Sequence, residues 1–226
     1  MIIIPEERAL ASPYIEWIGH GYTVADGLEM RPAEYNWHLI FTRCEGVLRI
    51  LVVGALEEAQ RLNYVAGAES LWIRFKVGTY MPHLPASAIV NQAINLPEGS
   101  GNNFWLQDKV WEIPSFENAD TFVEHLTRAG ALTYDPLIQV ALRDELEDAS
   151  ERTVRYRFQH STGLRQNYIR QIKRAQQAVE LLHHGNSILN TAHELGYADQ
   201  PHLTRSLKRL MGYTPHELVA SIPQIG

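Results

Sequence analysis

A chain of 226 residues, 45% hydrophobic and 20% charged, is long enough for one or two folded domains and too apolar for global disorder. No apolar run approaches membrane-spanning length, and the opening Met1-Ile2-Ile3-Ile4-Pro5 lacks the length and basic flank of a signal peptide. The single cysteine, Cys44, excludes an internal disulfide or a thiolate cluster for zinc, so a cytoplasmic protein with no membrane partner is expected.

Up to about Trp111 the pattern favours strands. Tyr35 to Thr42, Val47 to Val53, Arg61 to Ala66 and Leu71 to Val77 are short, rich in β-branched and aromatic residues, and separated by Gly, Pro, Glu and Ala breaks. Leu71, Ile73, Phe75 and Val77 alternate with Trp72, Arg74 and Lys76, which predicts one buried and one accessible face. A β-rich barrel or sandwich-like domain over residues 1–113 is the expectation, with a junction near residues 112–116.

From Asn118 the period becomes helical. Asn118 can cap a helix with the stripe Ala119, Phe122, Val123, Leu126, which Gly130 ends; Asp135 and Pro136 open a second helix whose buried side is Ile138, Ala141, Leu142 and Leu146. After a break at Asp148-Ala149-Ser150 comes a basic helix. A long helix follows over about 166–184, with Ile169, Ile172, Ala175, Val179 and Leu182 as its stripe. Ser187 caps the next helix, Asp199 opens another that runs to Met211, and Thr214-Pro215-His216-Glu217 is a capping box. The fold class predicted is therefore α+β multidomain, with an all-α domain over residues 114–226.

The net charge of -6 is unevenly divided: residues 1–149 carry 10 Lys+Arg against 21 Asp+Glu, and residues 150–226 carry 10 against 5. Cations concentrated at one end of an acidic chain are the footprint of a nucleic-acid-binding module, although charge alone fits a solvated basic face as well. A sequence echo favours the first reading. Ser150 to Gly163 recurs, shifted by 49 residues, as Asp199 to Gly212: a capping residue, apolar residues at Val154 and Phe158 or Leu203 and Leu207, and a closing glycine. Arg152, Arg155 and Arg157 in one copy, and Arg205, Lys208 and Arg209 in the other, lie away from the apolar pair. Residues 135–160 and 187–211 thus each read as helix, tight turn, helix, the arrangement that places its second helix in a major groove. The joining helix would span ~28 Å at 1.5 Å per residue, close to the ~34 Å between successive major-groove faces.

Ser150-Glu-Arg-Thr-Val-Arg-Tyr-Arg-Phe158, Thr162-Gly163, Ile169-Arg170, Ala192-His-Glu-Leu-Gly-Tyr197 and Lys208-Arg-Leu-Met-Gly-Tyr-Thr-Pro215 together resemble the DNA-binding domain of AraC/XylS-family transcriptional regulators, over roughly Thr133 to Leu218. The resemblance implies a sequence-specific regulator that sets two recognition helices into adjacent major grooves of double-stranded DNA. It also implies an N-terminal domain that senses a small-molecule effector or forms a homodimer, with RNA polymerase as a partner of an activator. Tyr156 stands where the family often has arginine, Pro201 where it has a small polar residue, and Leu203 and Leu207 where it has phenylalanines.

Helical position assigns DNA-facing roles. In the first copy Arg152, Arg155, Tyr156 and Gln159 lie off the apolar stripe, the arginines suiting guanine. In the second, Gln200, His202, Thr204 and Arg205 occupy the groove-facing end, while Lys208 and Arg209 suit phosphates. The two sets differ, so one chain should read an asymmetric site. The rival reading is a helical half that contacts a protein partner.

In the N-terminal half His20, His38 and His83 fit no metal-ligand spacing, Cys44 has no activating neighbour, and no catalytic set or cofactor motif is present, so neither an enzyme nor a cofactor is expected. A ligand site lined by Trp72, Arg74, Arg49 and Trp37 is the candidate there, set against a reading in which the tryptophans are core and the arginines pair with surface glutamates.

Overall fold

The structure, a computed structural model, describes residues 2–9, 12–146 and 149–220. Its N-terminal part is built on an antiparallel six-stranded sheet. The strands are β1 (Ile2–Arg8), β2 (Ile15–Thr23), β4 (His38–Cys44), β5 (Val47–Val53), β7 (Glu69–Phe75) and β9 (Ala93–Leu96), in the order β1-β2-β7-β4-β5-β9. β3 (Gly27–Arg31) and β6 (Gln60–Tyr64) pair as a separate ribbon. β8 (Thr79–Tyr80), the short helix α1 (Ala86–Ile89), and a hairpin of β10 (Asn103–Leu106) and β11 (Lys109–Glu112) complete this half. The sheet is open, so the sandwich-like form of the expectation holds and the barrel does not.

Period-2 alternation decides which face is inside. Ile18, Leu39, Phe41, Ile50, Val52, Leu71, Ile73 and Phe75 are all buried in one cluster, as the Leu71–Val77 alternation predicted. α2 (Ala119–Arg128) covers that face with Phe122, Val123 and Leu126. The unit expected to begin at residue 114 thus has its first helix in the core of the sheet. The other face carries Trp17, Ile40, Leu51, Val53 and Trp72, opposite Leu62 and Tyr64 of the ribbon. β2 escaped the sequence reading because Gly19 and Gly21 blank its alternation. At Gly19 the space is used: a Cβ would meet the Trp17 ring at 2.3 Å.

The chain crosses into the helical part through β12 (Thr133–Tyr134), which pairs with β8. α3 (Pro136–Leu142), α4 (Glu151–Thr162), α5 (Gln166–His183), α6 (Ile188–Glu194), α7 (Gln200–Leu210) and α8 (Pro215–Ala220) follow. Asp135, Ser150, Ser187 and Asp199 each accept a backbone N–H at the start of their helix, and Thr214 and Glu217 exchange the two bonds of a capping box. The cap expected of Asn118 is not made, because its side-chain oxygen turns back and accepts from the Ser115 N–H at 2.8 Å instead. α3 is shorter than its apolar pattern suggested. It stops before Asp144, whose φ of 59° ends the helical run, and Leu146 lies beyond it, only half-buried. In place of the expected tight turn of the first unit, eight residues, 143–150, separate α3 from α4; residues 147 and 148, with the break expected at Asp148, lie outside the described residues. In the second unit residues 195–199 make the shorter connection.

Two cores hold these helices, and both include residues of the N-terminal part. Phe158 of α4 packs with Ile138, Ala141, Leu164 and Ile169, together with Ala55 and Val77. Leu203, Leu207 and Leu210 of α7 pack with Ile172, Ala175, Ala178 and Leu182, together with Ala33.

Candidate nucleic-acid interface

The two copies of the repeat are helices of one design at the level of atoms. Phe158, Leu203 and Leu207 have no exposed surface, and Val154 is half-buried. The closing glycines sit in the left-handed region, Gly163 at φ 71° and Gly212 at φ 83°, where a side chain is strained. With their apolar sides fixed inward, α4 and α7 present their polar sides to solvent.

On α4, Arg152, Arg155, Tyr156 and Gln159 are all exposed. Tyr156 stacks on His160 at 5.7 Å with the rings 9° apart, a flat platform beside the arginines. Gln159 donates to the carbonyl of Gly163 at 3.0 Å. Arg157, grouped with the outward cations by its spacing, turns back and grips the buried Asp135 with two nitrogens. That hydrogen bonding raises the arginine's pKa further and ties α4 to the start of α3. It is a strut of the first unit, not a member of the outward set.

On α7, Gln200 and Arg205 are exposed, whereas His202 and Thr204 are half-covered. His202 Nδ1 lies 3.3 Å from the backbone N–H of Ala198, and its ring meets Tyr197 edge-on. Lys208 reaches Glu217 at 3.2 Å, and Arg209 donates to Gln171 at 3.2 Å while lying over the Tyr168 ring. Both cations remain exposed.

Sequence reasoning missed a third set. Asn167, Arg170, Gln171 and Arg174 of α5 line a hollow of about 620 Å³ opposite His202, Arg205, Ser206 and Arg209 of α7. Their spacing, i, i+3, i+4, i+7, is the signal that could have found them, running beside the buried stripe of α5. Among the described residues no carboxylate lines this hollow.

The expected ligand residues are divided by the sheet. Trp72 lines a cleft of about 450 Å³ between sheet and ribbon, with Trp17, Ile40 and Leu51. Arg74, on the same side of β7, donates to Asn36 and contacts Glu34 at 3.0 Å and Glu16 at 3.4 Å. Glu34, at the end of the cleft, also meets Arg31 at 3.0 Å and His38 at 2.9 Å. Burial alone would raise its pKa, but His38, Arg74 and Arg31 outweigh that and bring it down to about 2. Trp37 is not with them: it is buried on the core side, stacked on Phe75 at 3.9 Å and donating to the Thr79 carbonyl. Arg49 is exposed on β5, opposite Thr42. So Trp72 and Arg74 share a face, the core claims Trp37, and the arginine's partners are Glu34 and Glu16 rather than the surface glutamates considered from sequence.

Two basic helices on capped, glycine-closed scaffolds, with their apolar sides buried and their polar sides open, define the DNA-binding part of a transcription regulator. Comparison with family models agrees, matching residues 146–221 to a helix-turn-helix domain. This is the AraC-type domain, in keeping with an AraC/XylS-family regulator, and it is a DNA-binding rather than an enzymatic module. The search of curated proteins and the search of solved structures each find no match. Among the described residues no helix is long and apolar enough to cross a membrane.

Proposed function

We propose that this AraC-type regulator reads DNA as a single chain, with α4 and α7 entering successive major grooves and the N-terminal half adjusting their presentation. One observation carries the reading: the N-terminal half meets the ends of both helices and leaves their opening turns accessible. Gly163 at the end of α4 lies against Ala86 and Val90, and Gly212 just beyond α7 lies against Met30. Arg152, Arg155, Gln200 and Arg205 stay exposed. α5, with 18 residues, sets the heads about 27 Å apart along its axis at 1.5 Å per residue. We draw the working division after α2, so that the sheet and α2 form the regulatory half. Its cleft beside Trp72 has the size of a small-molecule site.

The cleft also connects to the reading half. Glu34 at its end follows Ala33, whose N–H donates to the Leu210 carbonyl of α7 at 2.6 Å. Leu56, another lining residue, exchanges backbone bonds with Glu34, and Ala59 donates to the Arg209 carbonyl at 2.9 Å. A small molecule seated there would act on α7 through these segments.

Selection from random duplexes tests the reading. The expected product is one asymmetric site with two conserved elements roughly one helical turn apart, bound with an affinity that falls steeply as salt rises. Arg155→Ala should cost about 1–3 kcal/mol and relax preference at one base pair. No enrichment, or binding indifferent to salt, would favour a protein partner for the helical half.

A further inference from the structure

Between the two reading helices lies a surface that neither of them supplies. α5 turns its Ile169, Ile172, Ala175 stripe inward and leaves Asn167, Arg170, Gln171 and Arg174 along an open side. Two hollows flank it. One is shared with Arg205 and Arg209 of α7, the other with Val154 and Arg155 of α4, and Arg170 is the one side chain that lines both. The cationic surface therefore runs from Arg155 through Arg170 and Arg174 to Arg205 without leaving the side on which the recognition helices open.

Four arginines in one hollow repel one another unless an anion lies among them. Among the described residues no carboxylate lines the hollow shared with α7, and two, Asp144 and Glu151, line the one shared with α4. Asp144 holds Arg170, but its own side chain is 76% exposed and sits on the far hollow. Arg174 lies over the Tyr197 ring at 4.3 Å, a contact that orients the guanidinium and leaves its charge intact. Arg209 is held by the amide oxygen of Gln171, a neutral partner.

We propose that α5 is a third DNA-contacting element, in which Arg170 and Arg174 hold phosphates of the backbone where it passes between the two grooves occupied by α4 and α7. This rests on the reading proposed above and adds a role for the helix that joins the heads. Guanidinium forks suit phosphate oxygens, and contacts of this kind fix register without reading bases. Asp144 then acts as a stand-in for phosphate, and must release Arg170 when DNA arrives.

The test uses the full chain and the duplex recovered by selection. The double variant Arg170→Gln/Arg174→Gln should bind both that duplex and a random one at least tenfold more weakly at 0.15 M salt. The slope of log affinity against log salt should shrink by about two phosphates' worth, ~1.8. In the wild type, ethylation of the phosphates midway between the two elements should interfere with binding, and in the double variant that interference should vanish. Asp144→Asn should act in the opposite direction, tightening binding to both duplexes, because it frees Arg170; this keeps the test valid if the double variant folds poorly. An unchanged salt slope, or no ethylation interference between the elements, overturns the proposal and leaves the hollow to an acidic protein partner. Failure of the wild type to bind any duplex would instead sink the reading on which it rests.

Discussion

Glu34 lies at 12% side-chain exposure with Arg31, His38 and Arg74 against its two oxygens. Its carboxyl titrates at about 2, below its ordinary 4.5, so the ionised form is favoured by folding. The stability it contributes is complete above pH 4.5 and drains away as pH falls towards 2, by roughly 3 kcal/mol at 1.36 kcal/mol per unit. Glu34→Gln should therefore destabilise the protein at pH 7, and the gap between variant and wild type should close as acid is added. Urea denaturation at pH 7, 4 and 3 measures this; a gap that stays constant with pH would mean that Arg31, His38 and Arg74 do not act through the charge of Glu34. Single residues were also where sequence reading was weakest. Arg155 and Arg157 are two positions apart on the same helix, and only the fold shows that Arg157 belongs to buried Asp135 while Arg155 stays outside. Trp37 and Trp72 offered the same ambiguity, resolved by which face of the sheet each side chain meets.

At the scale of elements, the helices were far more legible than the strands, and the reason is local chemistry. Asp135-Pro136, Ser150, Ser187 and Asp199 mark helix starts through short-range bonds that the sequence itself encodes, and each is made. β2 and β3 depend on partners distant in sequence, and glycines blank the alternation of β2, so no local signal announced them; of the β3–β6 ribbon only β6 was legible, within the strand read over Arg61 to Ala66. The closing glycines show a second layer that spacing alone cannot reveal. Each provides the left-handed cap of its copy, and each is also where the N-terminal half presses close. A Cβ on Gly163 would come within 2.8 Å of the Ala86 carbonyl oxygen, a backbone atom, whereas one on Gly212 would meet only side-chain atoms of Met30, Cγ at 2.4 Å and Sδ at 2.5 Å. Backbone cannot step aside as a methionine can. Both alanine substitutions incur about 1 kcal/mol for the positive φ, and Gly163→Ala should lose a further 1–3 kcal/mol to overpacking. Equal denaturation midpoints for Gly163→Ala and Gly212→Ala would show that α1 yields to the added methyl group.

For the molecule as a whole, the geometry of the two heads is fixed twice. α5 joins them directly, and the N-terminal half braces each from behind. Tyr80 meets His160 of α4 at 5.0 Å, and β8 pairs with β12 just ahead of α3. On the other side the Ala33 and Ala59 amides hold the last turn of α7, and the Tyr168 hydroxyl donates to the Glu57 carbonyl at 2.7 Å. Two heads joined by a single helix could follow small changes in their target by bending it; heads also tied to a common sheet must break packed contacts to do so. One base pair inserted between the two elements of the target moves them ~3.4 Å apart and rotates them by ~35°, since a turn of about 10–10.5 base pairs covers ~34–36 Å. The braced chain should therefore bind the lengthened site at least tenfold more weakly than the original, in a gel-shift titration at fixed salt. Gly163→Ala, which pries α4 from α1, should bind the original site less tightly and distinguish less between the two spacings. Equal affinity of the wild type for both duplexes would mean that the heads move independently, and that the sheet rides on the reading half without governing its geometry.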